Sequence, residues 1–448
     1  MADYRSMLEH DLRLTGPAGF SLDDLARRRI RKGRIQRLGT AALALILAAA
    51  AIGLVVRGFD VDRAPRPAGL PTSPSAWSRY EPGPMRVDAI TAGGPGLVAV
   101  GWDEQGAAGW TSPDGRTWTQ VPQEELGSGS INDVTTGGPG LVAVGTNDNE
   151  LRRVAGEQAE GPTHPVVWTS EDGRSWTRHP DDPVFRDALF ANAVTSGGPG
   201  VVAVGAHNKA WFSSDGMTWE LAEVPPVPEG VYPGDDGRHP QVYLEQVAAS
   251  DHRFVAVGTA LMNDADLSQV PIMWTSLDGR SWTDVPVDPE VFPRGADIAA
   301  ITHGANGFVA VGNLNQGHQP MAWSSADGLR WHRASDQEAF ASRVGLRGRS
   351  STVSSVAASQ RGYVAVGADG LCSSGAECPS EAAIWTSTDG ESWVRVSPGD
   401  VFRIGSPDPE SQGSYASRVI AWGSRFVVEG EYDGRGAIWM SHAGTEEE

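Results

Sequence analysis

Two cysteines in 448 residues exclude a disulfide framework, and two lysines (Lys32 and Lys209) against 34 arginines leave the positive charge almost wholly to guanidinium groups. That bias suggests a GC-rich bacterial coding sequence. No HExxH, Walker loop, dinucleotide fingerprint or C-x-x-C occurs, so the common signatures of zinc hydrolases, nucleotide enzymes and dithiol redox proteins are missing. The ten histidines show no repeated metal spacing, and no cofactor is expected. Cationic charge is scarce overall. The net charge is −20, and residues 1–57 hold ten basic and five acidic side chains, which leaves the remainder near −25. Such a surface repels polyanions and disfavours a nucleic-acid partner.

Long apolar runs are scarce too, with one exception. Leu38 to Val56 is uncharged for nineteen residues, a helical length of roughly 28 Å that suffices to cross a bilayer core. Arg27 to Arg37 precedes it with seven basic residues and no acid. Positive-inside logic then sets residues 1–37 in the cytoplasm as a short basic segment and the rest outside the cell membrane, in a single pass. An uncleaved anchor is favoured over a signal peptide, because thirty-seven residues precede the core and no small-x-small site precedes a mature start. Residues 57–74 hold four prolines and read as an extended stalk.

What the chain has in quantity is tryptophan. Twelve of its sixteen tryptophans form six pairs, each eight residues apart: Trp110/Trp118, Trp168/Trp176, Trp211/Trp219, Trp274/Trp282, Trp323/Trp331 and Trp385/Trp393. Between the partners runs nearly constant text, WTSPDGRTW in the first pair and WTSTDGESW in the last. Upstream of each pair stands a second phrase, GGPGLVAVG in units one and two, decaying to RGYVAVG in unit six. Short alternating apolar runs bounded by Gly, Pro and Asp-Gly are strand and turn grammar. For unit one the strands are expected at Val87–Ala92, Gly96–Gly101, Ala108–Ser112 and Thr117–Pro122. Units of four strands repeating at about fifty residues read as propeller blades.

RVIAWGSRFVVEG followed by GAIWMSHAG supplies three strands of a seventh unit, with Trp439 but no partner eight residues on. The missing strand is found at the other end, where SAWSRYEP around Trp77 parallels RSWTRHPD. The expectation is an all-β fold over residues 75–443: a seven-bladed β-propeller of four-stranded antiparallel blades, its last blade completed by the first strand, followed by an acidic tail at 444–448. Strand exchange of this kind removes the open sheet edges.

Ser112-Pro113-Asp114-Gly115-Arg116-Thr117-Trp118 resembles the Asp-box of the sialidase-like, or BNR-repeat, propellers, with one residue fewer between Asp and Gly. The resemblance implies the fold and a structural role for the box residues: Asp114, Trp118, Asp172, Trp176, Asp215, Trp219, Asp278, Trp282, Asp327, Trp331, Asp389 and Trp393. Sialidases of this kind also carry an arginine triad, a Tyr–Glu nucleophile pair, an acid Asp and an early F/Y-R-I-P motif. The near match Phe402-Arg403-Ile404-Gly405 lacks the proline and sits late. Comparable linkers read DPVFRD, DPEVFP and DQEAFA, so a phenylalanine recurring there reads as a packing plug. No catalytic residue carries over.

Propeller geometry puts all the repeated turns on one face and the long irregular segments on the other: 146–165, 225–242, 259–271, 368–381 and 397–415. Any ligand is expected on this variable face. Within it, Asp148, Glu150, Asp264 and Asp266 are weak candidates for Ca²⁺ ligation through clustered oxygens, against the plainer reading of solvated acidic loops. Cys372 and Cys378 share one loop, and an oxidising exterior favours a disulfide between them over two free thiols. The function expected first is a non-catalytic recognition or scaffold module for a protein or envelope glycan. The alternatives are a sialidase-type glycoside hydrolase and an envelope sensor reporting through the helix to residues 1–37.

Overall fold

A computed structural model describes residues 69–443, apart from 84, 148–162, 180, 233–240, 264–268, 315–318, 336, 342–348, 373–379, 398 and 403–412. The expected membrane helix Leu38–Val56, the cytoplasmic segment, most of the stalk and the acidic tail lie outside these residues. Among the described residues no helix is long and apolar enough to cross a membrane.

Seven four-stranded antiparallel sheets make up the described chain. Blade one comprises Val87–Gly93, Gly96–Asp103, Gly106–Ser112 and Thr119–Gln120, in that order from the ring axis outward. The outermost strand is shorter than the expected Thr117–Pro122, pairing only Trp110↔Gln120 and Thr111↔Thr119. Its first residues are taken up by the box turn, and Val121 N–H adds one more rung to Gly109 O at 2.8 Å before the linker leaves. In blade seven the strand Trp77–Tyr80 pairs with Arg435–Ser441, with Trp77 opposite Ser441 and Tyr80 opposite Ile438. The N-terminal strand therefore closes the ring.

Three repeated devices hold the blades. The first is the box turn. Asp114 Oδ1 accepts from the Arg116 and Thr117 N–H groups, both at 2.8 Å, while Ser112 Oγ accepts from Gly115 N–H at 2.8 Å. Gly115 has φ +72°, which a side chain would strain. Asp172, Asp215, Asp278, Asp327 and Asp389 repeat the paired acceptance. The exposed carboxylates are held ionised by these N–H groups, and that of Asp215 is drawn down to about 2.

The second device is a plug between the tryptophans. Phe185 packs on Trp211 and Trp219, Phe292 on Trp323 and Trp331, Phe340 on Trp385 and Trp393, and Phe402 on Trp439 and Trp77. All four rings are buried, each worth about 1.5–3 kcal/mol in burial and a further ~1 kcal/mol in ring–ring contact.

The third device is a bulge. On the innermost strand the pairing skips one residue at Asp88, Asn132, Asn192, Glu245, Ser354 and Ser417. At each bulge the main-chain oxygen two residues earlier lies against the glycine that ends the V-A-V-G strand. A Cβ on Gly101, Gly145, Gly205, Gly258, Gly367 or Gly430 would collide with Arg86, Ser130, Phe190, Tyr243, Thr352 or Tyr415 O. The glycine is thus the sequence mark of the bulge, and the bulge aims a side chain at the axis.

Candidate functional site

The bulges occupy the start of each innermost strand, the end from which the blade-to-blade segments and the loops between second and third strands arise. Four of the bulge residues, Asp88, Asn132, Asn192 and Glu245, line an axial cavity of about 580 Å³ that also includes Asp133, Phe190, Tyr243, Ser355 and Arg418. The cavity mouth therefore opens on the variable face, opposite the box turns.

The polar side chains here stitch blades together. Asn132 Nδ2 donates to Ala191 O at 2.8 Å, Asn192 Nδ2 to Leu244 O at 2.9 Å, and Asn313 Nδ2 to Val353 O at 3.0 Å. Asp133 accepts from Val134 N–H and, across the junction, from Val194 N–H, both at 2.8 Å. Phe190 and Tyr243 lie nearly parallel, 10° apart, on the wall between blades three and four.

Carboxylates dominate the charge. Burial pushes Asp88 up to about 6 against the pull of Arg418, and pushes Asp133 up to about 6 despite its two N–H donors. Glu245 rises to about 7, through burial and the nearby charge of Asp297, against a hydrogen bond from Thr259. Arg418 is the one cationic residue of the cavity lining among the described residues. It donates from Nε to Asp88 O at 2.7 Å and from Nη1 to Ser417 O at 3.1 Å.

Beside it lies Glu429, where six other blades have an apolar valine such as Val100 or Val144. It is 9% exposed, and its Oε2 has no hydrogen-bond partner. Burial raises it to about 8; Arg418 lowers it, while Asp88 and Glu431 raise it further. At neutral pH this mouth holds a mixture of protonated and ionised carboxyls around one guanidinium. Such a site favours cationic or hydrogen-bond-donating ligands, and its protonated carboxyls are able to donate as well.

The residues singled out from the sequence fall elsewhere. Asp148, Glu150, Asp264 and Asp266 lie outside the described residues, and so does Cys378, while Cys372 ends the second strand of blade six. Arg403, Ile404 and Gly405 lie outside as well. Among the described residues no group of three or more His, Cys, Asp or Glu side chains is arranged to hold a metal ion. Asp88, Asp133, Glu245, Arg418 and Glu429 were not singled out. The signal was present in the V-V-E-G of unit seven, where the repeat calls for V-A-V-G.

Residues 163–385 match the model of a family described as the DUF6242 beta propeller domain. No curated protein matches the chain in sequence. Among solved structures the chain is similar to YCF48 bound to a D1 peptide, at 14% identity and TM-score 0.50, over 84% of this chain and 98% of that one. It is also similar to the β-propeller domain of Myceliophteria thermophila Cps50 (Swd1), at 12% identity and TM-score 0.45, over 81% and 99% of the two chains. Trypanosoma rangeli sialidase matches at 14% identity and TM-score 0.39, over 82% of this chain and 55% of its own. At these identities the likeness is one of fold.

Proposed function

We propose that this chain is a membrane-tethered, extracytoplasmic recognition propeller, without catalysis, that holds a protein partner at the axial mouth of its variable face. The supporting observation is the cavity itself: Asp88, Asp133 and Glu245 ring it with Arg418 as the lone cation of the described lining. A lysine or arginine side chain of the partner enters that mouth and takes the place of the missing positive charge. A propeller of the same fold solved with a peptide bound is consistent with this use of the scaffold. The tether rests on Leu38–Val56 and the basic run before it.

A hydrolase reading has one feature in its favour, the carboxyls of Glu245 and Glu429, which burial pushes up to about 7 and about 8, into the range a general acid needs. Against it, the cavity lining supplies one arginine where the sialidase arrangement has three. The test uses the full-length chain in its native membrane, with a photo-crosslinking residue at Asn192. One discrete protein adduct, lost on Asp133→Asn, supports recognition. Fluorogenic sialosides and other glycosides are assayed on the same membranes. Turnover abolished by Glu429→Gln would replace the proposal with the hydrolase.

A further inference from the structure

The blade junctions are not all sealed in the same way. In five blades the indole N–H of the inner tryptophan donates to the linker that enters the blade. Trp168 donates to Leu126 O (2.8 Å), Trp211 to Val184 O (3.1 Å), Trp323 to Val291 O (2.7 Å), Trp385 to Ala339 O (2.8 Å) and Trp439 to Val401 O (2.7 Å). In four of these the acceptor is the residue just before the phenylalanine plug. Chain length governs whether a plug is possible. The linker entering blade two, 121–129, has nine residues and places Leu126 on a helical turn, Gln123–Leu126, against Trp168 and Trp176. The linker entering blade one, 81–86, has six residues, and its described residues form no such turn.

The consequence is visible at the seam between blades seven and one. A cleft of about 880 Å³ opens there, with Trp110 in its wall. Trp110 Nε1 has no protein acceptor among the described residues. Trp118 is half-buried, whereas Trp77, Trp176, Trp219, Trp282, Trp331 and Trp393 are all buried. A Cβ built on Gly83 meets nothing within 4 Å, so the rim is open. Met85 packs at the edge of the cluster without being buried. Blade four differs: its inner Trp274 is 1% exposed, with Val224, Val227 and Val231 of the linker packed against its cluster.

We propose that the blade-one cleft is a docking site for an extended peptide of a partner protein, which supplies the plug this blade lacks. Its aromatic side chain seats against Trp110, whose apolar cluster includes the half-buried Trp118, and the carbonyl of the preceding residue accepts the Trp110 indole N–H. The geometry is the one the protein itself uses at Val184–Phe185. The walls add Glu81, Asp103, Glu104 and Glu431 against Arg86 and Arg435, so a cation next to the aromatic residue is favoured, as Arg186 follows Phe185. This site lies away from the axial mouth and is independent of it.

The probe is N-acetyl-Pro-Val-Phe-Arg-amide, the text of residues 183–186, titrated into the full-length chain labelled with 5-fluorotryptophan in mild detergent. Fluorine resonances are assigned by single Trp→Phe substitutions. The expected result is saturable movement of the Trp110 and Trp118 resonances, with Trp274 and Trp282 still. Affinity should fall at least tenfold when the peptide phenylalanine becomes alanine. Trp110→Phe, which keeps the packing and removes the N–H, and the exposed change Glu104→Arg should each weaken binding severalfold. Resonances of Trp110 and Trp118 that stay put at millimolar peptide, equal movement with the alanine peptide, or unchanged affinity in both variants would overturn the proposal.

Discussion

Arg418 of blade seven reaches across the ring seam and donates from Nε to the main-chain oxygen of Asp88 in blade one at 2.7 Å. The same guanidinium offsets the charges of Asp88, Asp133 and Glu429. Arg418→Ala removes both the tie and the counter-charge. Deleting one partner of a buried charge cluster costs about 3–5 kcal/mol. The expected outcome is an unfolding free energy lowered by that amount at pH 8, read from denaturant titrations. Adding Glu429→Gln to the variant should restore part of the loss, because the uncompensated carboxylate is then gone. Losses that simply add would show that the two side chains do not interact.

Glu429 by itself gives a pH signature. Its folded value is pushed up to about 8 from an ordinary 4.5, so the folded chain holds a proton that the unfolded chain has released. The stability associated with that proton is fully present below about pH 4.5 and is lost as pH rises toward 8. Glu245 and Asp88 act in the same direction over narrower ranges. The box aspartates act oppositely: their lowered values make stability fall as pH drops below the ordinary carboxylate range. Glu429→Gln should therefore match the parent near pH 4 and exceed it increasingly up to pH 8, by on the order of 1 kcal/mol or more. Thermal melts at half-unit pH steps would show it. A constant offset at every pH would mean that Glu429 titrates alike folded and unfolded.

Blade number, strand order and ring closure were legible because each is written many times over. Six copies of the box and the V-A-V-G phrase define the blade, and Trp77 with Trp439 supplies the seventh pair. The axial site was harder to see because it is built from departures. Asp88, Asn132, Asn192 and Glu245 stand at equivalent bulges but differ in chemistry, two amides that donate to the next blade and two carboxyls, and nothing in their immediate neighbours distinguishes them from solvated strand ends. Their position became readable only through contacts with the next blade, which lie fifty or more residues away in sequence, such as Asn132 to Ala191. The outer strand was overestimated in blade one because the box turn and its tryptophan consume the residues that seemed free to pair.

The bulge glycines make a sharp stability test. A Cβ on Gly258 would collide with Tyr243 O and Leu244 Cα, both main-chain atoms of the paired strand. Neither is able to move without breaking the innermost ladder. Gly258→Ala should cost more than about 3 kcal/mol, the range reserved for core disruption, and should reduce folded yield sharply. Gly423→Ala is the control, since a Cβ there meets nothing within 4 Å, although its φ of +57° is unfavourable. It should lose about 1 kcal/mol. Similar melting temperatures for the two variants would dismiss the bulge as the reason for the repeated glycine.

Ring closure rests on a short element, four residues of strand and one indole. Trp77 is 4% exposed, stands edge-on to Phe402 with ring centroids 5.9 Å apart, and donates from Nε1 to Pro71 O at 3.2 Å. Its strand pairs with the C-terminal strand Arg435–Ser441 through four rungs, from Trp77↔Ser441 to Tyr80↔Ile438. Trp77→Ala should cost about 3–5 kcal/mol, as for other buried aromatics. Deleting residues 1–80 should cost more, because the edge of Arg435–Ser441 is then left unpaired and open to other chains. A synthetic peptide of residues 69–82, added in trans, should bind the deletion variant and raise its melting temperature. The same peptide with alanine for Trp77 should do so much less. If the deletion variant melts like the parent and ignores the peptide, the closing strand is dispensable, and blades one and seven must be held together chiefly by Arg418 and the apolar contacts of their facing sheets.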